Sequence, residues 1–131
     1  MSDSGKNAKL VLIIDDDDGV REFLSFVIAR EGFRAEIAVD GEDGYQKAES
    51  CKPDLILLDL MMPRLGGFEV LRRLQTGELS KIPIVVITGR YTDRAMAEMI
   101  RQESNVADFL EKPIKSNVRG ATLARLLKPR A

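Results

Sequence analysis

Short runs of apolar residues alternate with amphipathic stretches along the chain. The three purest runs are Leu10–Ile14, residues 55–58 and residues 84–87. Each is apolar at every position, which is typical of a parallel β-strand covered by helices on both faces. Strands that also contain polar residues are predicted at residues 34–39 and 106–110.

Helical periodicity fills the intervals between these runs. Positions 20, 23, 24, 27 and 28 carry apolar residues at the spacing of one helix face, and Gly32 follows them as a stop signal. Weaker patterns predict helices at residues 44–50, 68–74 and 96–100. Ser116 is a suitable N-cap for a fifth helix that ends before Pro129. Five strands alternating with five helices predict right-handed crossovers and a doubly wound parallel α/β sheet.

Composition narrows the class of protein. The chain has 131 residues, a formal net charge of −1 and one cysteine, so we expect one domain in a reducing, cytoplasmic compartment. No apolar stretch has membrane-spanning length, and the mixed charges argue against a membrane or nucleic-acid surface. We expect a polar leader over residues 1–8 and a single domain over residues 9–128.

The chain contains no histidine. Ser–His and Cys–His nucleophile pairs are therefore excluded, and a zinc site would have to use carboxylates and a single thiol. Any chemistry must rely on carboxylates, hydroxyls and lysines.

Polar residues stand at the C-terminal ends of four predicted strands. Asp15 and Asp16 follow the first strand and Asp59 follows the third. Thr88 follows the fourth, and Lys112 stands just past the fifth. Because parallel strands all end at the same edge of a sheet, we expect these five side chains to meet there.

Each of these residues has an ordinary explanation when it is taken singly. An aspartate after a strand is often the N-cap of the next helix, and we expect Asp17 or Asp18 to be one. As a group, however, unpartnered carboxylates would repel one another unless a positive charge lay between them. Mg²⁺ binds one or two carboxylates together with waters and phosphate oxygens. A carboxylate beside Mg²⁺, a lysine and a hydroxyl could accept a phosphoryl group.

Four motifs follow one another along the chain. They are Val11-Leu12-Ile13-Ile14-Asp15-Asp16-Asp17, Leu57-Leu58-Asp59-Leu60-Met61-Met62-Pro63, Val86-Ile87-Thr88-Gly89 and Asp108-Phe109-Leu110-Glu111-Lys112-Pro113. In this order they resemble the bacterial response-regulator receiver family, and the similarity spans residues 9–127. The resemblance implies a flavodoxin-like (βα)5 fold with a five-stranded parallel sheet in the order 2-1-3-4-5. It also implies a phosphoacceptor switch of a two-component phosphorelay, rather than an enzyme.

The resemblance assigns a role to each motif residue. Asp59 is the implied phosphoacceptor. The implied ligands of Mg²⁺ or Mn²⁺ are Asp15, Asp16, Asp59 and the backbone carbonyl of Met61. Among these, Asp15 would act through a metal-bound water. The residues implied to contact the phosphoryl oxygens are Thr88 and Lys112, and the implied switch residues are Thr88 and Phe109.

The resemblance also implies partners. A sensor histidine kinase or a histidine phosphotransfer protein would donate the phosphoryl group. A downstream effector protein or domain would bind the face made by helix four, strand five and helix five, and a homodimer through this face is a further expectation. Neither nucleic acid nor a membrane is expected as a direct partner.

Two departures from the family pattern stand out. Receivers usually have an acid before the glycine in the loop after the acceptor, where this chain has Arg64-Leu65 before Gly66. Asn105 replaces the usual glycine before strand five, and asparagine tolerates a left-handed helix cap.

Three alternatives fit parts of the sequence. The run Ile14-Asp15-Asp16-Asp17-Asp18-Gly19 also resembles the nucleophile loop of haloacid-dehalogenase-type phosphatases, with Asp15 as nucleophile and Asp17 as acid/base. That family needs a later acidic motif, where this chain has Thr88-Gly89-Arg90. A flavin-binding protein shares the sheet topology, but an acidic first loop would repel the FMN phosphate. A degenerate receiver that only binds proteins lacks part of the site, whereas all five site residues are present here.

Overall fold

A computed structural model describes residues 8–60, 62, 67–88, 98, 102 and 105–111 of the chain. The strands in these residues are β1 Leu10–Ile14, β2 Arg34–Ala38, β3 Leu55–Asp59, β4 Ile84–Thr88 and β5 Val106–Glu111. The α-helices with described bounds are α1 Asp18–Arg30, α2 Gly41–Cys51 and α3 Gly67–Arg73, and a 3₁₀ helix covers Gly77–Lys81. The predicted helices at residues 96–100 and after Ser116 lie outside the described elements.

All five strands lie parallel in one sheet, in the order β2-β1-β3-β4-β5. The flavodoxin-like order predicted for the chain is therefore confirmed. β1 lies between β2 and β3, with Ile14 opposite both Ala38 and Leu58. The residues that follow β1 and those that end β3 consequently emerge side by side at the C-terminal edge.

The core covers both faces of the sheet, because the central strands are apolar at every position that faces a helix. Every residue of β1 and β3 is buried. Leu12 and Ile14 point to the face covered by α2 and α3, whereas Val11 and Ile13 point to the face covered by α1. Complete burial of such a side chain contributes about 1.5–3 kcal/mol, so these runs hold the sheet together.

Local capping signals define both ends of α1. The side chain of Asp17 accepts a hydrogen bond of 3.1 Å from the backbone N–H of Val20, which confirms the predicted N-cap. At the other end Gly32 has a φ of +91°, and the N–H groups of Gly32 and Phe33 donate to carbonyls of the last helical turn. This is a Schellman cap, and it confirms Gly32 as the stop signal.

Two elements differ from the prediction. α2 begins at Gly41 rather than at residue 44, because Asp40 caps it with a 2.9 Å bond from the backbone N–H of Asp43. The 3₁₀ helix was not predicted, since Leu79 is its only buried residue and one apolar position shows no periodicity.

Asn105 lies just before β5 and hydrogen-bonds the segment that enters β4. This residue is buried, and its φ involves residue 104, which lies outside the described residues, so the left-handed cap stays a prediction. Its side-chain amide donates to the carbonyl of Ile82 at 3.1 Å, and its own carbonyl accepts from the N–H of Ile84 at 2.7 Å. Asn105 thereby joins the start of β5 to the entrance of β4.

A polar cluster on the surface joins α2 to α3. The guanidinium of Arg73 stacks on the ring of Tyr45 at 5.4 Å and pairs with Glu42. The Tyr45 hydroxyl donates to Glu49, and this hydrogen bond, with the negative charge of Glu49, raises the pKa of the tyrosine.

None of the described helices has the length and apolar character needed to cross a bilayer.

Candidate functional site

Three carboxylates meet at the C-terminal edge of the sheet. One oxygen from each of Asp15, Asp16 and Asp59 lies within 4.8 Å of the other two. Asp15 and Asp59 are buried, whereas Asp16 is exposed. The sequence predicts that these three residues converge, and the described structure brings them together.

The strand pairing explains the convergence. β1 and β3 are hydrogen-bonded neighbours, so Asp15 and Asp16 after β1 come next to Asp59 at the end of β3. Asp59 is also paired with Ile87 of β4, and the N–H of Leu60 donates to the carbonyl of Ile87 at 3.1 Å. Asp59 is therefore anchored to β4 by its strand pairing.

Asp15 is held by bonds to three different parts of the molecule. Its backbone N–H donates to the carbonyl of Ala38 at 3.2 Å, which ties it to the end of β2. Its carboxylate accepts from the N–H of Asp17 at 2.9 Å, and its carbonyl accepts from the Arg21 guanidinium at 2.8 Å. These bonds set the course of the chain just before Asp16.

The charge of this cluster favours a cation. Two unit charges no more than 4.8 Å apart repel by at least about 3 kcal/mol at an effective dielectric constant of about 20. Carboxylate oxygens are hard ligands that suit Mg²⁺ or Mn²⁺, and the exposed Asp16 leaves one side of the cluster open to water and phosphate oxygens. The donor set therefore fits the divalent cation that the sequence predicts.

The structure describes the remaining predicted site residues only in part. Met61 and Lys112 lie outside the described residues. Thr88 ends β4 opposite Glu111, and Phe109 is paired with Val86 within β5, but the side chains of Thr88 and Phe109 also lie outside the description. Of the predicted face made by helix four, strand five and helix five, the structure describes β5 and one residue of the fourth helix, Glu98.

Sequence reasoning missed one residue of this region, Arg21. It lies on α1 and reaches back to the carbonyl of Asp15. A basic residue six positions after the first aspartate, on the first turns of the following helix, is the signal that could have identified it. Its contact depends on how the loop between β1 and α1 folds, which the apolar pattern does not specify.

Comparison with known sequences identifies the family. Residues 11–122 match the family model of the response regulator receiver domain. The transcriptional regulatory protein AfsQ1 of Streptomyces coelicolor is 36% identical over 118 residues, which cover 90% of this chain and 51% of that protein. The alkaline phosphatase synthesis transcriptional regulatory protein PhoP of Bacillus subtilis is 32% identical over 92% of this chain and 49% of its own length. The chain thus spans about half the length of these curated relatives.

Solved structures agree with this match. The chemotaxis protein CheY4 of Vibrio cholerae superimposes with a TM-score of 0.82 at 26% identity, covering 92% of this chain and 99% of that one. A response regulator receiver protein from Pseudomonas putida gives a TM-score of 0.79 at 28% identity, covering 91% and 94% of the two chains. The sheet order, the family match and these neighbours lead to one conclusion. The chain belongs to the response regulator receiver domain family of two-component systems.

Proposed function

We propose that this chain is a phosphoacceptor switch that receives a phosphoryl group on Asp59. The donor is a phosphohistidine of a sensor histidine kinase or of a histidine phosphotransfer protein, and the reaction depends on Mg²⁺ or Mn²⁺. The observation that carries the proposal is the grouping of Asp15, Asp16 and Asp59 at the C-terminal edge of the sheet. Membership of the receiver family supports the same chemistry.

In the proposed reaction a carboxylate oxygen of Asp59 attacks the phosphorus atom. A P–O bond forms as the P–N bond to the donor imidazole breaks, and the imidazole leaves with its electron pair. Asp59 is buried at the end of β3, so its approach to the donor is restricted by the strand that carries it. Asp15, Asp16 and Asp59 would hold the cation, which when bound offsets negative charge on the transferring oxygens.

The other motif residues complete the proposal. By their positions in the family motifs, Thr88 and Lys112 contact the phosphoryl oxygens and the backbone carbonyl of Met61 binds the cation. Thr88 and Phe109 change position after phosphorylation and alter the face that an effector or a second copy binds. The domain covers residues 9–128 and acts in the cytoplasm.

Phosphorylation by a small donor tests the acceptor. Incubation with acetyl phosphate and Mg²⁺ should add the mass of one phosphoryl group to the chain, as measured by intact mass spectrometry. Asp59→Asn should abolish the addition, because an amide oxygen is a poor nucleophile. Asp54→Asn is the matched control, since Asp54 directly precedes the same strand at its opposite end and hydrogen-bonds Leu10 there.

Two results would contradict the assignment. An Asp59→Asn protein that gains the phosphoryl group at the wild-type rate would place the acceptor elsewhere. Sustained hydrolysis of para-nitrophenyl phosphate that requires Asp15 but not Asp59 would favour the phosphatase alternative, against which the family match argues.

A further inference from the structure

Arg21 is a mostly buried cation beside the acidic cluster, and the proposed phosphoryl transfer gives it no role. Its side chain is only 11% exposed. One guanidinium nitrogen, Nη1, donates to the backbone carbonyl of Asp15 at 2.8 Å. The other, Nη2, pairs with the carboxylate of Asp18, which is itself 92% exposed.

The carbonyl that Arg21 contacts belongs to the peptide group between Asp15 and Asp16. A peptide group is planar, so a bond to its oxygen fixes the orientation of the whole plane, including the nitrogen of Asp16. The direction in which the Asp16 side chain leaves the backbone therefore depends on this bond. Asp16 is the exposed member of the cluster, and it has less surrounding protein to hold it than Asp15 or Asp59.

The energetics indicate that the planar fork of Arg21 matters more than its charge. Burying a guanidinium is unfavourable unless good geometry and hydrogen bonds compensate for the lost hydration. The ion pair with Asp18 is too exposed to solvent to offset that loss alone. A positive charge near a divalent cation site would also weaken cation binding by repulsion. The feature that favours arginine here is a fork that reaches the Asp15 carbonyl and Asp18 at once, which lysine cannot reproduce.

We propose that Arg21 is a positioning residue that orients Asp16 for metal binding by holding the Asp15–Asp16 peptide plane. This inference rests on the proposed metal site at Asp15, Asp16 and Asp59. Positioning and charge predict opposite signs. If charge dominates, removal of Arg21 strengthens cation binding, whereas if positioning dominates, removal weakens it.

Mn²⁺ affinity of the full chain tests the proposal, with free Mn²⁺ followed by its electron paramagnetic resonance signal. Arg21→Lys keeps the positive charge but loses the guanidinium that bonds the Asp15 carbonyl and Asp18 at once. This variant should raise the Kd for Mn²⁺ about tenfold, which is the lower end of the loss of metal affinity that follows removal of an outer-shell partner. Arg21→Met should raise the Kd by a smaller factor, because loss of the positive charge compensates in part. Arg30→Met is the control, since Arg30 lies on the last turn of the same helix and stacks on Phe26. Its Kd should match the wild type.

A second measurement separates positioning from stability. Phosphorylation by acetyl phosphate should slow in both Arg21 variants at low Mn²⁺ and recover at saturating Mn²⁺. All Kd values are taken at a temperature where circular dichroism shows each variant folded. Variants that unfold at lower temperature but keep the wild-type Kd would overturn the proposal, because Arg21 would then be structural only.

Other results have equally definite meanings. Tighter Mn²⁺ binding in Arg21→Met, with unchanged binding in Arg21→Lys, would overturn the positioning role in favour of simple repulsion. Absence of Mn²⁺ binding by the wild type, or binding that Asp16→Asn leaves unchanged, would overturn the proposed metal site and this inference with it. A wild type that binds Mn²⁺ through Asp16, with no change in either Arg21 variant, would overturn this inference alone.

Discussion

Four consecutive aspartates, residues 15–18, have four different environments. Asp15 is buried and bonded on three sides, and Asp16 is exposed and joins the carboxylate cluster. Asp17 caps α1, and Asp18 pairs with Arg21 from the first turn of that helix. Identical side chains acquire these different roles because the chain turns from strand to helix within four residues, so that each points in a different direction.

Gly44 is a residue at which α2 closely approaches β1. A Cβ at this position would lie 2.7–2.9 Å from three side-chain atoms of Ile14, which is fully buried just before Asp15. Real Cβ atoms essentially never approach this closely, so glycine is required for the observed distance between helix and strand. The packing of this face and the position of the acidic edge are coupled through Ile14.

We predict that Gly44→Ala lowers the free energy of unfolding by about 1 kcal/mol. Overpacking costs about 1–3 kcal/mol, and the higher helix propensity of alanine returns about 1 kcal/mol. Urea unfolding measures the change. Gly19→Ala is the control, because its Cβ would meet only the Asp17 carboxylate at 3.3 Å, and it should be neutral or stabilising. Equal stabilisation by both substitutions would mean that Ile14 moves aside at little cost.

At the scale of elements, β2 is an edge strand, and side chains of α2 bind two backbone groups at its C-terminal end. The ammonium of Lys47 donates to the carbonyl of Ile37 at 2.6 Å, and the N–H of Val39 donates to Asp43 at 3.1 Å. Edge strands with free backbone groups can pair with other chains, and charged side chains limit such pairing. The same charged residues thus dock α2 and cover the C-terminal end of this edge.

Removal of the N-cap should destabilise α1 without loss of a core contact. We predict that Asp17→Ala lowers the free energy of unfolding by about 1 kcal/mol, because the N–H of Val20 loses its acceptor. Asp17→Asn retains an acceptor oxygen and should cost much less, which makes it the matched control. Urea unfolding again provides the measurement. If both variants lost the same amount, the charge of Asp17 rather than its hydrogen bond would be responsible.

At the scale of the whole molecule, the acidic cluster couples the proposed metal binding to folding. Its carboxylates come from the loop after β1 and from the end of β3, so the cluster exists only when these strands are paired. A cation that binds the folded chain alone stabilises it, by about 2.7 kcal/mol at a concentration one hundred times the Kd. Without the cation, repulsion among the carboxylates opposes folding.

We therefore predict that saturating Mg²⁺ raises the Tm of the wild type by several degrees, as measured by differential scanning calorimetry. Asp16→Asn should remove most of this increase. In the presence of a chelator the same variant should melt above the wild type, because one repelling charge is gone. A Tm that does not respond to Mg²⁺, or an equal response in Asp16→Asn, would contradict the proposed site.

The sequence alone determined the fold class, the five strands to within about one residue, and the convergence of Asp15, Asp16 and Asp59. It could do so because fully apolar strands must be covered on both faces, and parallel strands must end at one edge. The capping of α1 by Asp17 and Gly32 was also predictable, since each cap involves neighbouring residues.

Only the tertiary structure decided contacts whose partners no periodic pattern connects. The approach of Gly44 to Ile14, the bonds from Asn105 to the ends of other elements and the reach of Arg21 to the Asp15 carbonyl are all of this kind. Apolar periodicity specifies which face of an element is buried, but not how close two elements approach or which backbone oxygen a long side chain reaches. Those outcomes depend on the packing of the complete domain, because each is a compromise among many contacts that form together.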